Sequence, residues 1–112
     1  MIDLATVERV RAYPGATDMR LGQYGLRKLV MEDEEPRPGT LYLFCSKDRR
    51  RIRILEVGGD FVWLHECRAR FGRFKWPKHK GEPIERPTML QIARGCVAID
   101  TPSKPKGKTS LF

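Results

Sequence analysis

At 112 residues the chain is long enough for one small domain with a single core, and too short for two. It carries 22 Lys and Arg against 14 Asp and Glu, a formal net charge of +8, which points to an acidic partner: nucleic acid first, an anionic membrane surface second. It holds no apolar run of about 18 residues, so no segment reads as a bilayer span, and Met1-Ile2-Asp3-Leu4 lacks the cationic start and apolar core of a signal peptide. A cytoplasmic protein that does not engage a membrane is expected.

In chain order, residues 6–13 carry a mixed pattern compatible with a short strand, and Pro14-Gly15 is turn chemistry. Thr17-Asp18 then offers side-chain oxygens before a helical pattern, so Asp18 is expected to cap a helix that starts at Met19. Apolar or small residues at 19, 22, 26, 29 and 30 give the helical spacing. Gly22 and Gly25 weaken that helix by roughly 1 kcal/mol each relative to Ala, which implies that something packs close to them. The helix is expected to end near Glu32, before the acidic, proline-rich stretch Asp33-Glu34-Glu35-Pro36-Arg37-Pro38-Gly39.

Leu41-Tyr42-Leu43-Phe44-Cys45 reads as a strand, and Ser46 to Arg50 as a polar loop. Arg51-Ile52-Arg53-Ile54-Leu55 alternates, placing Arg49, Arg51 and Arg53 on one face. Gly58-Gly59 predicts a two-residue hairpin. The next run sends Phe61, Trp63, His65 and Cys67 to one side and Val62, Leu64, Glu66 and Arg68 to the other. The stretch from Arg68 to Pro77 interleaves Arg68, Arg70, Arg73 and Lys75 with Phe71, Phe74 and Trp76, interrupted by Gly72. Read as a strand, residues 73–76 turn Phe74 and Trp76 inward and Arg73 and Lys75 outward. Thr88 with Gln91 resembles a capping box, followed by an apolar stripe at 89, 92, 93, 96 and 97.

These elements predict an α+β fold: a small antiparallel β-meander of three to four strands, one helix packed on it and a second short C-terminal helix. Residues 1–100 form the single expected domain. Residues 101–112, rich in Lys, Pro, Ser and Gly, read as a disordered basic tail.

Catalysis has little to stand on. There is no Gly-rich phosphate loop, no H-E-x-x-H and no G-x-S-x-G, and the Asp residues are scattered. The chain is therefore expected not to be an enzyme and to need no cofactor. His65 and Cys67 share a face, yet a zinc site needs about four ligands, and no P-C-x-x-C follows His65-Glu66, so no metal is expected. Cys45, Cys67 and Cys96 are odd in number and lie in apolar runs, which predicts buried free thiols.

The basic residues carry more. Alternating arginines sit about 6.6–6.8 Å apart along a strand, and guanidinium forks bind phosphate in a bidentate manner. The candidate nucleic-acid-binding set is Arg49, Arg51, Arg53, Arg68, Arg70, Arg73, Lys75 and Trp76, the last through a ring edge that could stack on a base. The competing reading makes Phe74 and Trp76 plain core packing, and lets the arginines face water or pair with the acids at 32–35.

The blocks Gly15-Ala16-Thr17-Asp18-Met19-Arg20 with Gly22, Gly25-Leu26 and Leu29-Val30, then Gly39-Thr40-Leu41-Tyr42-Leu43-Phe44, Arg51-Ile52-Arg53-Ile54-Leu55 and Gly72-Arg73-Phe74-Lys75-Trp76-Pro77, stand in a familiar order. Over about residues 10–77 the chain resembles the TnpB (Orf-two) accessory proteins of the IS-sixty-six insertion sequences. The resemblance implies a small bacterial protein, encoded in a mobile element beside a larger transposase, that assists DNA transposition. DNA and the transposase are then the expected partners. An accessory factor binding nucleic acid through its basic β-face is the leading expectation. A module that docks on the transposase with little DNA contact is the alternative, and a regulator of the element's transcription a weaker third.

Overall fold

The computed structural model describes residues 4–82 together with 84, 89, 92, 97 and 98. A 3-10 turn at Leu4–Thr6 leads into β1 (Arg9–Ala12), α1 (Gln23–Met31), β2 (Thr40–Cys45), β3 (Arg51–Val57), β4 (Val62–Arg68) and the two-residue β5 (Val97–Ala98). The strands form one sheet in the order β1-β2-β3-β4-β5. Strands β2, β3 and β4 are the expected antiparallel meander, in register through Leu43↔Ile54 and Arg53↔Glu66. The fold is α+β, but the sheet is mixed, because β1 pairs with β2 in parallel. The physical reason is the path between them. A parallel neighbour needs a crossover connection, and here residues 13–39, α1 included, supply it.

The sequence of β2, Thr-Leu-Tyr-Leu-Phe-Cys, is apolar at nearly every position because both sheet faces are covered there. Tyr42 and Phe44 join Leu55, Val57, Val62 and Leu64 under Leu26 and Val30 of α1. On the opposite face Leu41, Leu43 and Cys45 pack with Ile52, Ile54, Cys67, Phe74, Trp76 and Ile92. Cys45 and Cys67 are buried free thiols, as expected; Cys96 lies outside the described residues.

Helix α1 is shorter than the apolar spacing implies. Gly22 occupies its N-cap without a side-chain hydrogen bond, and Gln23, Leu26 and Val30 form the buried stripe. Burying Leu26 and Val30 stabilises this contact by about 1.5–3 kcal/mol each. Asp18 does not cap the helix: Oδ1 accepts the Arg20 backbone N–H at 2.9 Å, and the carboxylate clasps the Arg20 guanidinium. A local turn therefore consumes the signal that reads as a cap. Of the two glycines, Gly25 is the one packed closely, since a Cβ there would meet Leu21 Cδ2 at 2.8 Å, while nothing lies near one on Gly22. The helix ends at Glu32, as the following loop predicts.

β3 and β4 are joined through residues 58–61, where Gly58 N–H donates to the Phe61 carbonyl at 2.9 Å, so the two residues inside the closing bond are Gly59 and Asp60, one position along from the Gly58-Gly59 expected. Residues 73–76 form no ladder, yet Phe74 (7% exposed) and Trp76 (8%) are buried and Arg73 and Lys75 are exposed. An extended segment laid over a core alternates whether or not it pairs. Met89 and Ile92 are helical and Ile92 is buried, but most of the expected second helix lies outside the described residues, and Val97 belongs to β5. The tail at 101–112 also lies outside them.

Candidate nucleic-acid interface

The eight residues singled out from the sequence do not form one face. Alternation places Arg51 and Arg53 on the α1 side of β3, together with Leu55, and Glu66 and Arg68 on the same side of β4. Glu66, only 9% exposed at its side chain, sits at the centre. Arg51 and Arg53 donate to its Oε1 at 2.9 and 3.2 Å, and Arg68 Nε donates to Oε2 at 2.7 Å. Arg53, 15% exposed, also donates to the Leu21 carbonyl at 2.9 Å and so ties β3 to the α1 lead-in. The Arg51 and Arg53 guanidinium groups are committed to the fold, whereas Arg68 keeps 68% of its side chain exposed. Burial alone would raise the Glu66 carboxyl, but the hydrogen bonds from Arg68, Arg51 and Arg53 overcome it and hold the group at about 2.

Arg49 is structural too. It adopts φ 63 in the β2–β3 turn, and its guanidinium donates to the Gly15 carbonyl at 3.0 Å. Trp76 donates from Nε1 to the Tyr13 carbonyl at 2.8 Å and is packed in the core. The stacking role expected of Trp76 is therefore corrected: its ring offers no open face to a base.

Arg70, Arg73 and Lys75 are exposed, on the loop that leaves β4. Arg68, Arg70 and Arg73 border a shallow depression with Phe71. The loop is pinned at both ends. Ala69 N–H donates to the Arg50 carbonyl and Phe74 N–H to the Arg49 carbonyl, each at 2.7 Å, while Gly72 takes the turn at φ 68. Phe71, at the tip, is 85% exposed with the Arg70 guanidinium 5.5 Å from its ring centroid. The residue missed from sequence is thus Phe71, and its signal is its place beside Gly72, at the point where the chain must turn.

The acids of the 33–39 loop do pair with arginines, but with those of β1. Arg9 donates to both carboxylate oxygens of Glu34, at 2.5 and 2.7 Å, Arg11 adds a further bond, and Tyr42 Oη donates at 2.7 Å. Arg9, with burial opposed and Tyr42 assisting, holds Glu34 at about 2. The ordinary value is 4.5, so Glu34 and Glu66 both bind protons less readily when folded. Their contribution to stability is fully present above pH of about 4.5 and is lost as pH falls towards 2. The thermal midpoint should decline steeply across that window. A midpoint unchanged from neutrality down to pH of about 3 would contradict this assignment.

His65 Nε2 lies 2.7 Å from Glu56 Oε1, on the sheet face opposite Glu66. Among the described residues no group of three or more His, Cys, Asp and Glu side chains could hold a metal ion. Among them, too, no helix is long and apolar enough to cross a membrane.

These features define a small α+β protein with two arginine-bound glutamates inside and a pinned basic loop outside. The family described as IS66 Orf2 like protein matches residues 8–97, and the chain belongs to that family of insertion-sequence proteins. No curated protein and no solved structure matches it.

Proposed function

We propose that this chain is a non-catalytic accessory factor for DNA transposition, acting in the cytoplasm beside the element's transposase, and that it binds nucleic acid through the loop of residues 68–75. The supporting observation is the division of the cations. Arg51 and Arg53 are held by Glu66, whereas Arg70, Arg73 and Lys75 are exposed on a loop pinned by main-chain bonds, with Arg68 at its base. Family membership supplies the transposition context.

Contact with about four phosphates gives a slope of log K against log salt near −3 to −4. Binding of the full chain to element ends and to random duplex, titrated with salt, tests this. Similar affinity for both duplexes is expected, because phosphate contacts carry no sequence information directly. No binding even at low salt would overturn the reading.

A second reading, docking on the transposase, draws on α1. Tyr24 (61% exposed) and Met31 (48%) lie on its outward side, with the Arg27 guanidinium 5.0 Å from the Tyr24 ring centroid. A transposase complex that survives high salt, in a protein that ignores DNA, would favour it.

A further inference from the structure

We propose that Phe71 is a base-stacking residue and that the 68–75 loop prefers unpaired DNA to intact duplex. This rests on the nucleic-acid reading above and goes beyond it in naming the form of DNA recognised. A lone exposed phenylalanine is unremarkable on a protein surface. Here three further observations bear on it. The cations Arg68, Arg70 and Arg73 border the same depression as the Phe71 ring, so a strand whose phosphates they hold would carry its bases past that ring. The loop cannot simply fold the ring away, because its two ends are fixed by the Ala69 and Phe74 main-chain bonds and by burial of Phe74 and Trp76. The third is the company of Arg70, whose guanidinium stands near the ring and supplies a cation beside any stacked base.

A basic groove combined with an accessible aromatic ring is the arrangement that holds single strands, because every base has a π-face to offer. In an intact duplex those faces are already stacked on their neighbours. The ring therefore adds affinity only where bases are unpaired, as at strand ends, mismatches or melted segments. The cations add affinity for either form.

The test uses the full-length protein, a labelled oligothymidylate strand and a random-sequence duplex of equal length, with binding read by fluorescence anisotropy. The wild type should prefer the single strand. Phe71→Ala should weaken single-strand binding by about 5- to 150-fold, leave duplex binding within about twofold, and leave the fold intact because the ring is 85% exposed. Phe71→Trp should restore or strengthen the preference. If the wild type binds duplex but Phe71→Ala leaves the single-strand preference unchanged, the stacking role is overturned while the nucleic-acid reading stands. Binding of neither probe overturns both. A Phe71→Ala protein that loses the transposase and keeps its DNA affinities would assign the ring to a protein partner instead.

Discussion

Phe74→Ala is expected to destabilise the protein by roughly 3–5 kcal/mol, a large fraction of the about 5–15 kcal/mol by which a domain is usually stable. Its ring closes the core on the sheet face that α1 does not cover, against Leu41, Leu43, Cys45, Ile52 and Ile54. Its backbone N–H also holds the Arg49 carbonyl, so the ring and the main chain together seat the 72–76 segment. Truncation would leave a cavity and loosen Trp76, whose indole N–H bonds to the Tyr13 carbonyl at the end of β1. Urea unfolding measures the loss. Phe71→Ala, three residues away and exposed, is the natural comparison and should change stability by no more than about 0.5 kcal/mol. Equal stability of the two variants would place Phe74 outside the core.

Glu66→Ala should cost about 3 kcal/mol, because it leaves three guanidinium groups converging on a site without an acid. Reversing Arg53 to glutamate should be at least as damaging, since it sets a second carboxylate beside Glu66 in a site that is mostly buried. Charge reversal on β3 is therefore a poor probe of DNA binding: any loss would reflect unfolding. Removing both charges, as Arg53→Met with Glu66→Met, should recover part of the stability lost in Glu66→Ala, because a buried ion pair replaced by apolar groups is often nearly neutral. Failure of the double variant to recover any of it would mean that Arg53 is not coupled to Glu66.

The alternation in Phe74-Lys75-Trp76 was legible because burial of every second residue follows from an extended chain on a core, with or without a partner strand. The doubly covered β2 was legible from its unbroken apolar run for a similar reason. The direction of β1 was not, since nothing in Arg9-Val10-Arg11-Ala12 encodes whether a neighbour runs parallel; the crossover through α1 decides it. The helix start was masked by a local contest. Asp18 satisfies the Arg20 N–H in a turn, and the helix begins five residues later without a side-chain cap.

For the site, the residue types were visible and their grouping was not. Period-two alternation already put Arg51, Arg53, Glu66 and Arg68 on matching sides, but only the register Arg53↔Glu66 shows that one carboxylate serves three arginines. Trp76 turns inward as the alternation implies, but that it leaves no edge open, and that Phe71 is the exposed ring, was not legible for a related reason. Two aromatic rings in one basic stretch look alike in sequence, and the turn at Gly72 decides which is thrown outward.

The central claim, that the loop and not the β-face carries nucleic-acid binding, is tested most directly by Arg70→Glu with Arg73→Glu in one protein. Both side chains are exposed, so urea unfolding should match the wild type. Losing two phosphate contacts should make the slope of log K against log salt shallower by about 2 and weaken binding to every duplex by a similar factor. A double variant that is stably folded and binds DNA with the wild-type affinity and slope would contradict the claim.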